Sequence, residues 1–70
     1  MSFSTELRKR RREKNISQSE LGRVIGVTQS IVSSYESGVY RPTFECLLRI
    51  SKALECSVDD LVKDEVVDLF

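Results

Sequence analysis

The sequence predicts an all-α domain of five short helices. Apolar residues recur three and four positions apart along most of the chain, whereas no useful run alternates apolar and polar residues as a half-buried strand would. Glycine and proline are scarce, with three and one among 70 residues, and most of them fall between the helical patterns. We therefore assign residues 1–62 to one compact domain and residues 63–70 to a short acidic and apolar tail.

The first helix is predicted over roughly residues 4–14, with Asn15 as a left-handed terminator. Its apolar face is thin, because Arg10 and Arg11 stand where core residues are expected. Arg11 lies four residues after Leu7 and therefore points inward. For Arg10 we expect the aliphatic stem to cover the edge of the core and the guanidinium to stay in solvent.

The second helix begins with a capping signature and ends at a glycine. Ser17 and Glu20 have the spacing of a capping box, in which each side chain bonds the backbone N–H of the other residue. Gly26 can enter the left-handed conformation that ends a helix. Gly22, in the middle, costs about 1 kcal/mol relative to alanine, which suggests that the following helix packs very close to it. The predicted inward face consists of Leu21, Val24 and Ile25.

The third helix is predicted to be capped by Thr28 and to close at Ser37 and Gly38. Val27 fills the turn before it with an apolar side chain. The second and third helices, joined by this glycine turn, form a helix-turn-helix. The inner side of the third helix is marked by Ile31, Val32 and Tyr35.

A fourth helix is predicted over roughly residues 43–55, after Pro42 stops further helix and Thr43 caps the next one. Cys46 and Cys56 should lie near its two ends, about 15 Å of helical rise apart and beyond disulfide reach. Without histidine they cannot complete a zinc site, so we interpret them as small buried hydrophobes in a reducing compartment. The predicted core band consists of Phe44, Leu47, Leu48, Ile50, Ala53 and Leu54.

A fifth, short helix follows, because Ser57 and Asp60 repeat the capping-box spacing. The tail behind it is acidic yet carries four apolar side chains, which need cover from water. We expect this helix and the tail to form a subunit interface; the alternatives are a tail that folds back on the core or is unstructured. The candidate interface residues are Val58, Leu61, Val62, Val66, Val67, Leu69 and Phe70.

A buried ion pair is predicted between the first and third helices. Glu36 lies four residues after Val32 and is the only acid of the third helix, so it points inward as Arg11 does. Two inward opposite charges most simply pair, and removal of one would strand the other in the core. The predicted role of the pair is structural.

The formal net charge is zero, but its distribution is uneven. Residues 1–41 carry eight basic and four acidic side chains, and residues 42–70 carry three basic and seven acidic ones. This asymmetry suggests a basic face for a polyanion and an acidic end held away from it. The basic run at residues 8–12 has the alternative interpretation of an ordinary solvated face.

Composition argues against several classes of protein. With no histidine, no credible acid–base pair and no glycine-rich phosphate loop, an enzyme is not expected. No segment is long enough to cross a membrane and no signal peptide is evident. We therefore expect a cytoplasmic, nucleoid-associated protein without metal, cofactor or small-molecule ligand.

Two sets of residues fall at the spacing of a known family. Those within the helix-turn-helix are Gln18, Leu21, Gly22, Gly26, Val32, Tyr35 and Glu36. Those in the flanks are Leu7, Arg11, Ile16, Ser17, Gly38, Pro42, Leu47, Ile50, Ala53, Leu54, Ser57, Val58, Asp59 and Leu61. This framework, over roughly residues 3–62, resembles the phage-repressor (Cro-like, lambda-repressor-like) helix-turn-helix family. The resemblance implies a compact five-helix lambda-repressor-like DNA-binding domain.

The resemblance also gives the third helix the role of reading DNA in the major groove. Gln29 is carried over as the principal base reader, because its amide can bond adenine N6 and N7 together. No arginine or lysine lies on this helix, so specificity should depend partly on groove shape. Further base-reading candidates are Thr28, Ser30, Ser33 and Ser34. The phosphate candidates are Gln18, Ser19, Arg23, Ser37, Tyr40, Arg41 and Arg12.

The function implied is sequence-specific binding of double-stranded DNA by a homodimeric transcriptional regulator of the repressor type. Its operator should be palindromic, with half-sites about one helical turn apart. The alternative is an antitoxin-like or adaptor protein whose C-terminal part binds another protein. For the serines, Tyr40 and Arg41, the alternative is an ordinary exposed surface.

Overall fold

The computed structural model describes residues 3–62, which form α-helices and no strand, so the all-α prediction is confirmed. Within this part of the chain, no helix combines the length and apolar composition needed to span a membrane. In chain order the helices are α1 (Phe3–Glu13), α2 (Gln18–Ile25), α3 (Gln29–Ser37), α4 (Phe44–Ala53) and α5 (Val58–Val62).

Local capping chemistry sets the helix boundaries, as the sequence predicts. The Glu20 backbone N–H donates to Ser17 Oγ at 3.0 Å, and the Ser17 N–H donates to Glu20 Oε1 at 2.7 Å. Ser57 and Asp60 repeat this arrangement before α5, at 3.0 and 3.2 Å. Gly26 ends α2 with a φ of 84°, a conformation that costs little without a Cβ atom.

The core lies where the five helices meet. α3 packs its inner side against α1 and α2, α4 packs against α2, and α5 closes the core against α1 and α4. The outer side of α3 stays in solvent, because no other described helix covers it. The buried apolar side chains are Phe3, Leu7, Leu21, Ile25, Val32, Tyr35, Ile50, Leu54 and Leu61.

Three apolar side chains predicted to be in the core lie on the surface instead. Val24 is 67% exposed, because the buried stripe of α2 runs through Leu21, Gly22 and Ile25 and leaves position 24 to one side. Phe44 and Leu48, one turn apart on α4, are 69% and 39% exposed. Both lie on a face of α4 that points away from the core.

The end of α4 also differs from the prediction. The helix stops at Ala53, and Glu55 turns the chain with a φ of 56°, so Cys56 lies beyond the helix. Both thiols are free and half-buried. Glu55 thus adopts the left-handed conformation usually taken by glycine, and its carboxylate pairs there with Lys14 of the α1 end.

The predicted subunit interface needs one correction. Leu61 is 1% exposed and fills the core between α5 and its neighbours, so its side chain cannot line an interface. Val58 and Val62 are half-buried and keep some surface. The tail candidates Val66, Val67, Leu69 and Phe70 lie outside the described residues.

Candidate nucleic-acid interface

The close approach of α2 to the turn before α3 depends on Gly22. A Cβ atom at this position would lie 2.7 Å from the carbonyl oxygen of Val27 and 3.2 Å from the carbonyl carbon of Thr28. The close neighbour is therefore the backbone of the turn and cap, rather than a side chain of α3. This contact sets the distance between α2 and the turn from which α3 begins, and so the position of α3 relative to α2.

A buried ion pair lies beneath this surface. Arg11 Nε donates to Glu36 Oε2 at 2.6 Å, and Arg11 Nη2 donates to Glu36 Oε1 at 3.1 Å. Arg11 Nη1 also donates to the carbonyl oxygen of Ile16 at 2.8 Å. The side chains are 11% and 1% exposed, so the two-bond fork joins α1 to α3 in a largely water-free environment.

Opposing effects act on the Glu36 carboxyl. Burial alone raises the pKa of Glu36, since it disfavours the charged form. Hydrogen bonds from Arg11 and Gln18 outweigh that effect and hold the pKa of Glu36 below its ordinary value. The Glu36 carboxyl is therefore ionised at neutral pH.

A chain of hydrogen bonds leads from this carboxylate to the surface. Gln18 Nε2 donates to Glu36 Oε1 at 3.1 Å, and Gln29 Nε2 donates to Gln18 Oε1 at 2.6 Å. Gln29 is exposed at the first position of α3. The structure thus brings together a predicted base reader, a predicted phosphate ligand and the predicted ion pair.

The other base-reading candidates present short hydroxyl side chains along α3. Thr28 Oγ1 accepts the Ile31 N–H at 3.2 Å as the helix cap. Ser34 Oγ donates to the Ser30 carbonyl at 3.1 Å. Thr28 and Ser30 are exposed, whereas Ser33 and Ser34 are half-buried. Short side chains allow the helix backbone to approach a groove closely.

The phosphate candidates fall into separate places. Gln18 is half-buried, and its amide is engaged with Glu36 and Gln29 rather than projecting from the α2 N-terminus. Ser37 Oγ donates to the Ser34 carbonyl at 3.2 Å. The remaining candidates are exposed on α1, on α2 and in the loop after α3: Arg12, Ser19, Arg23, Tyr40 and Arg41.

Contrary to the prediction, the Arg10 guanidinium is not left to solvent alone but pairs with a carboxylate of its own helix. Its Nε donates to Glu6 Oε1 at 2.9 Å, one helical turn away, and its side chain is only 25% exposed. Glu6 is 5% exposed and needs a cation, which the (i, i+4) spacing supplies.

The contacts of Arg8 with Glu36 and of Gln29 with Gln18 were also not predicted from the sequence. Arg8 Nη2 donates to the Glu36 carbonyl at 3.4 Å, and Arg8 Nε lies 3.5 Å from Glu36 Oε1. Arg8 is three residues before Arg11, so helical spacing alone could have placed it on the same side. The hydrogen bond between Gln18 and Gln29 crosses from one helix to another, and only the crossing of α2 and α3 reveals it.

Comparisons with known proteins agree with this architecture. The chain is 40% identical over 60 residues to repressor protein C2 of Salmonella phage P22, covering 86% of the chain and 28% of the relative. It is 35% identical over 63 residues to the uncharacterised helix-turn-helix-type transcriptional regulator YqaE of Bacillus subtilis, covering 90% of the chain and 54% of the relative. The chain thus spans about half or less of the length of these relatives.

Solved structures show the same likeness in three dimensions. The P22 c2 repressor in complex with a synthetic operator superposes with a TM-score of 0.88 at 37% identity, covering 93% of this chain and 98% of that one. The solution structure of the P22 c2 DNA-binding domain gives a TM-score of 0.87 at 34% identity, covering 100% and 92%. The helix-turn-helix family model matches residues 7–61. The chain is therefore a member of the helix-turn-helix family, with a phage-repressor-like domain.

Proposed function

We propose that this chain binds double-stranded DNA through α2 and α3 and regulates transcription by occupying an operator. The observation that carries the proposal is Gln29, an exposed amide at the start of α3 that is held by Gln18 and, through it, by buried Glu36. A base-reading side chain is most selective when its geometry is fixed before the ligand arrives. The similar P22 c2 repressor, solved in complex with a synthetic operator, supports the same partner.

Within this proposal, Gln29 reads an adenine by its amide edge in the major groove. The hydroxyls on the same side of α3 bond bases or phosphates at closer range. Around them, exposed cations and hydroxyls from the neighbouring segments bind the backbone, and they set position rather than sequence. The proposed phosphate ligands are Ser19, Arg23, Arg12, Ser37, Tyr40 and Arg41. Gln18 is also proposed, through the second N–H of the side-chain amide whose first N–H donates to Glu36.

We further propose a homodimer on a palindromic site. Two copies related by a two-fold axis place two α3 helices in successive major grooves, about one helical turn apart. The exposed parts of Val58 and Val62, together with the apolar tail, are the surfaces we assign to the contact between copies. Relatives include both repressors and an activator. The proposed activity is therefore occupancy of an operator, which is common to both kinds of regulator.

The experiment that tests this function is selection of bound duplexes from a random DNA pool at roughly physiological salt, where non-specific binding is weak. The expected result is an enriched inverted repeat with half-sites one turn apart. Enrichment of a single half-site would support sequence-specific DNA binding but contradict binding as a dimer. A pool that stays random would contradict the proposal and favour a protein partner.

A further inference from the structure

A cation–aromatic contact joins the start of α1 to the loop that follows α3. The guanidinium carbon of Arg41 lies 5.9 Å from the centroid of the Phe3 ring. Phe3 is 2% exposed and packs in the core, whereas Arg41 is exposed. A ring fixed by the core therefore offers its electron-rich face to a cation on the surface.

This contact lies beside the C-terminal end of α3. A Cβ atom on Gly38, directly after α3, would be 3.9 Å from the hydroxyl oxygen of Ser4. One turn further along α1, Arg8 donates to the backbone carbonyl of Glu36. The N-terminal half of α1 thus packs along the end of α3 and along the loop that carries Arg41.

We propose that Phe3 is a positioning residue for DNA binding, because its ring holds the Arg41 guanidinium where it reaches a backbone phosphate beside the end of α3. The inference rests on the DNA binding proposed above. An unrestrained arginine samples many rotamers and loses that freedom when it binds a phosphate. A guanidinium that is already held against a ring has lost part of this rotamer freedom before DNA binds, so the entropy cost of binding the phosphate is smaller.

The two contacts of Arg41 are chemically compatible. At 5.9 Å from the centroid the ring attracts the charge of the guanidinium through its electron-rich face and takes up no N–H donor, whereas phosphate binding uses those N–H groups. Phe3 would therefore support the phosphate contact without touching DNA. No sequence pattern singles out this role, since Phe3 and Arg41 are 38 positions apart.

The test is a double-mutant cycle on binding of the enriched duplex, measured over a range of salt concentrations. We expect Arg41→Ala to weaken binding about tenfold and to lower the salt slope by about one contact. Phe3→Leu should weaken it about threefold, as loss of an exposed cation–aromatic contact does. In the Arg41→Ala background, Phe3→Leu should have no further effect, because the ring acts only through that guanidinium.

Phe3 also belongs to the core, so the folded fraction of each protein is measured by circular dichroism under the binding conditions. Ile50→Val serves as a core-destabilised control on another helix, and we expect it to keep wild-type affinity once corrected for folding. An equal loss with and without Arg41 would overturn the inference, since Phe3 would then act through the fold alone. Unchanged affinity of Phe3→Leu would overturn it too. A wild-type protein that binds no DNA would defeat the proposed function itself, which is a distinguishable result.

Discussion

The Glu36 carboxylate, 1% exposed, accepts hydrogen bonds from Arg11 and Gln18 and lies 3.5 Å from Arg8 Nε. One buried charge therefore restrains side chains on α1 and α2, and through Gln18 it restrains Gln29. Buried charges are stable only when such partners are present. At this position the partners also shape the proposed interface.

Replacing Glu36 should destabilise the fold strongly. We expect Glu36→Ala to lower the free energy of unfolding by about 3–5 kcal/mol, because it leaves Arg11 as an unpaired buried cation. A loss of this size is comparable to the whole stability of a core this small, so the variant should be largely unfolded in buffer alone, which circular dichroism measures directly. The matched control is Glu13→Ala, an exposed acid on α1 whose loss should change stability by about 0.5 kcal/mol or less. A fall in melting temperature of only about one or two degrees for Glu36→Ala would contradict the structural role.

The same carboxylate should make stability depend on pH. Because the pKa of Glu36 is lower in the folded state, its contribution is complete above the unfolded value, about 4.3. It is lost as the pH falls through the folded value. Other acids also titrate there, so the useful quantity is the difference in unfolding free energy between wild type and Glu36→Gln. We expect this difference to be constant from about pH 7 to 5 and to shrink below that; a constant difference in acid would count against the ion pair.

Residue-level contacts were predictable from the sequence only within limits. Helical spacing places Arg11 and Glu36 on inward faces, and their opposite charges then leave pairing as the simplest outcome. The bond between Gln18 and Gln29 depends on the angle at which two helices cross, which spacing along one helix does not contain. The same is true of Phe3 and Arg41, which meet only after α1 and α3 are packed.

For the individual helices, the residues that begin and end each helix were easier to predict than the side chains that each helix buries. Caps such as Ser17 and Gly26 act through neighbouring backbone groups, so a few residues of sequence determine them. Which apolar side chains are buried depends on the partner helix. Val24 and Phe44 fit an apolar helical stripe by spacing alone, yet they are 67% and 69% exposed.

The contact at Gly22 gives a test at this scale. Gly22→Ala gains about 1 kcal/mol of helix propensity, but its methyl group would be 2.7 Å from the Val27 carbonyl oxygen. We expect the clash to dominate and the variant to lose about 1–2 kcal/mol of unfolding free energy. Val24→Ala, an exposed position on the same helix, should change it by about 0.5 kcal/mol or less. A more stable Gly22→Ala protein would show that α2 and the turn have room to separate.

For the whole molecule, the small size of the core and the uneven charge matter most. A single core in a chain of this size supplies about 3–5 kcal/mol, so a second subunit is a reasonable source of further stability. The basic part of the chain carries α2 and α3, and the acidic part carries α5 and the tail. In the proposed complex with DNA, this division would favour the basic part of the chain as the side that meets the phosphates. This separation of basic and acidic residues can be read from the sequence, because it depends only on the order of residues along the chain.

The proposed dimer can be tested by removing the tail. We expect a chain ending at Asp64 to sediment as a monomer at concentrations where the full chain is a dimer, since four apolar side chains are lost. Phe44→Ser is the control, because it removes an exposed apolar side chain from a surface that we do not assign to the contact. If the chain without the tail is still a dimer at the same concentration, the interface must be formed by another surface of the domain.

Gln29, held by Gln18, is proposed to read a base from the start of α3. The most direct measurement is the affinity of wild type and Gln29→Ala for the enriched duplex and for its single-base variants. We expect wild type to prefer adenine at one position of each half-site by about tenfold, and Gln29→Ala to lose that preference while binding unrelated DNA equally well. An operator affinity within about twofold of wild type, with the same base preference, would contradict the claim.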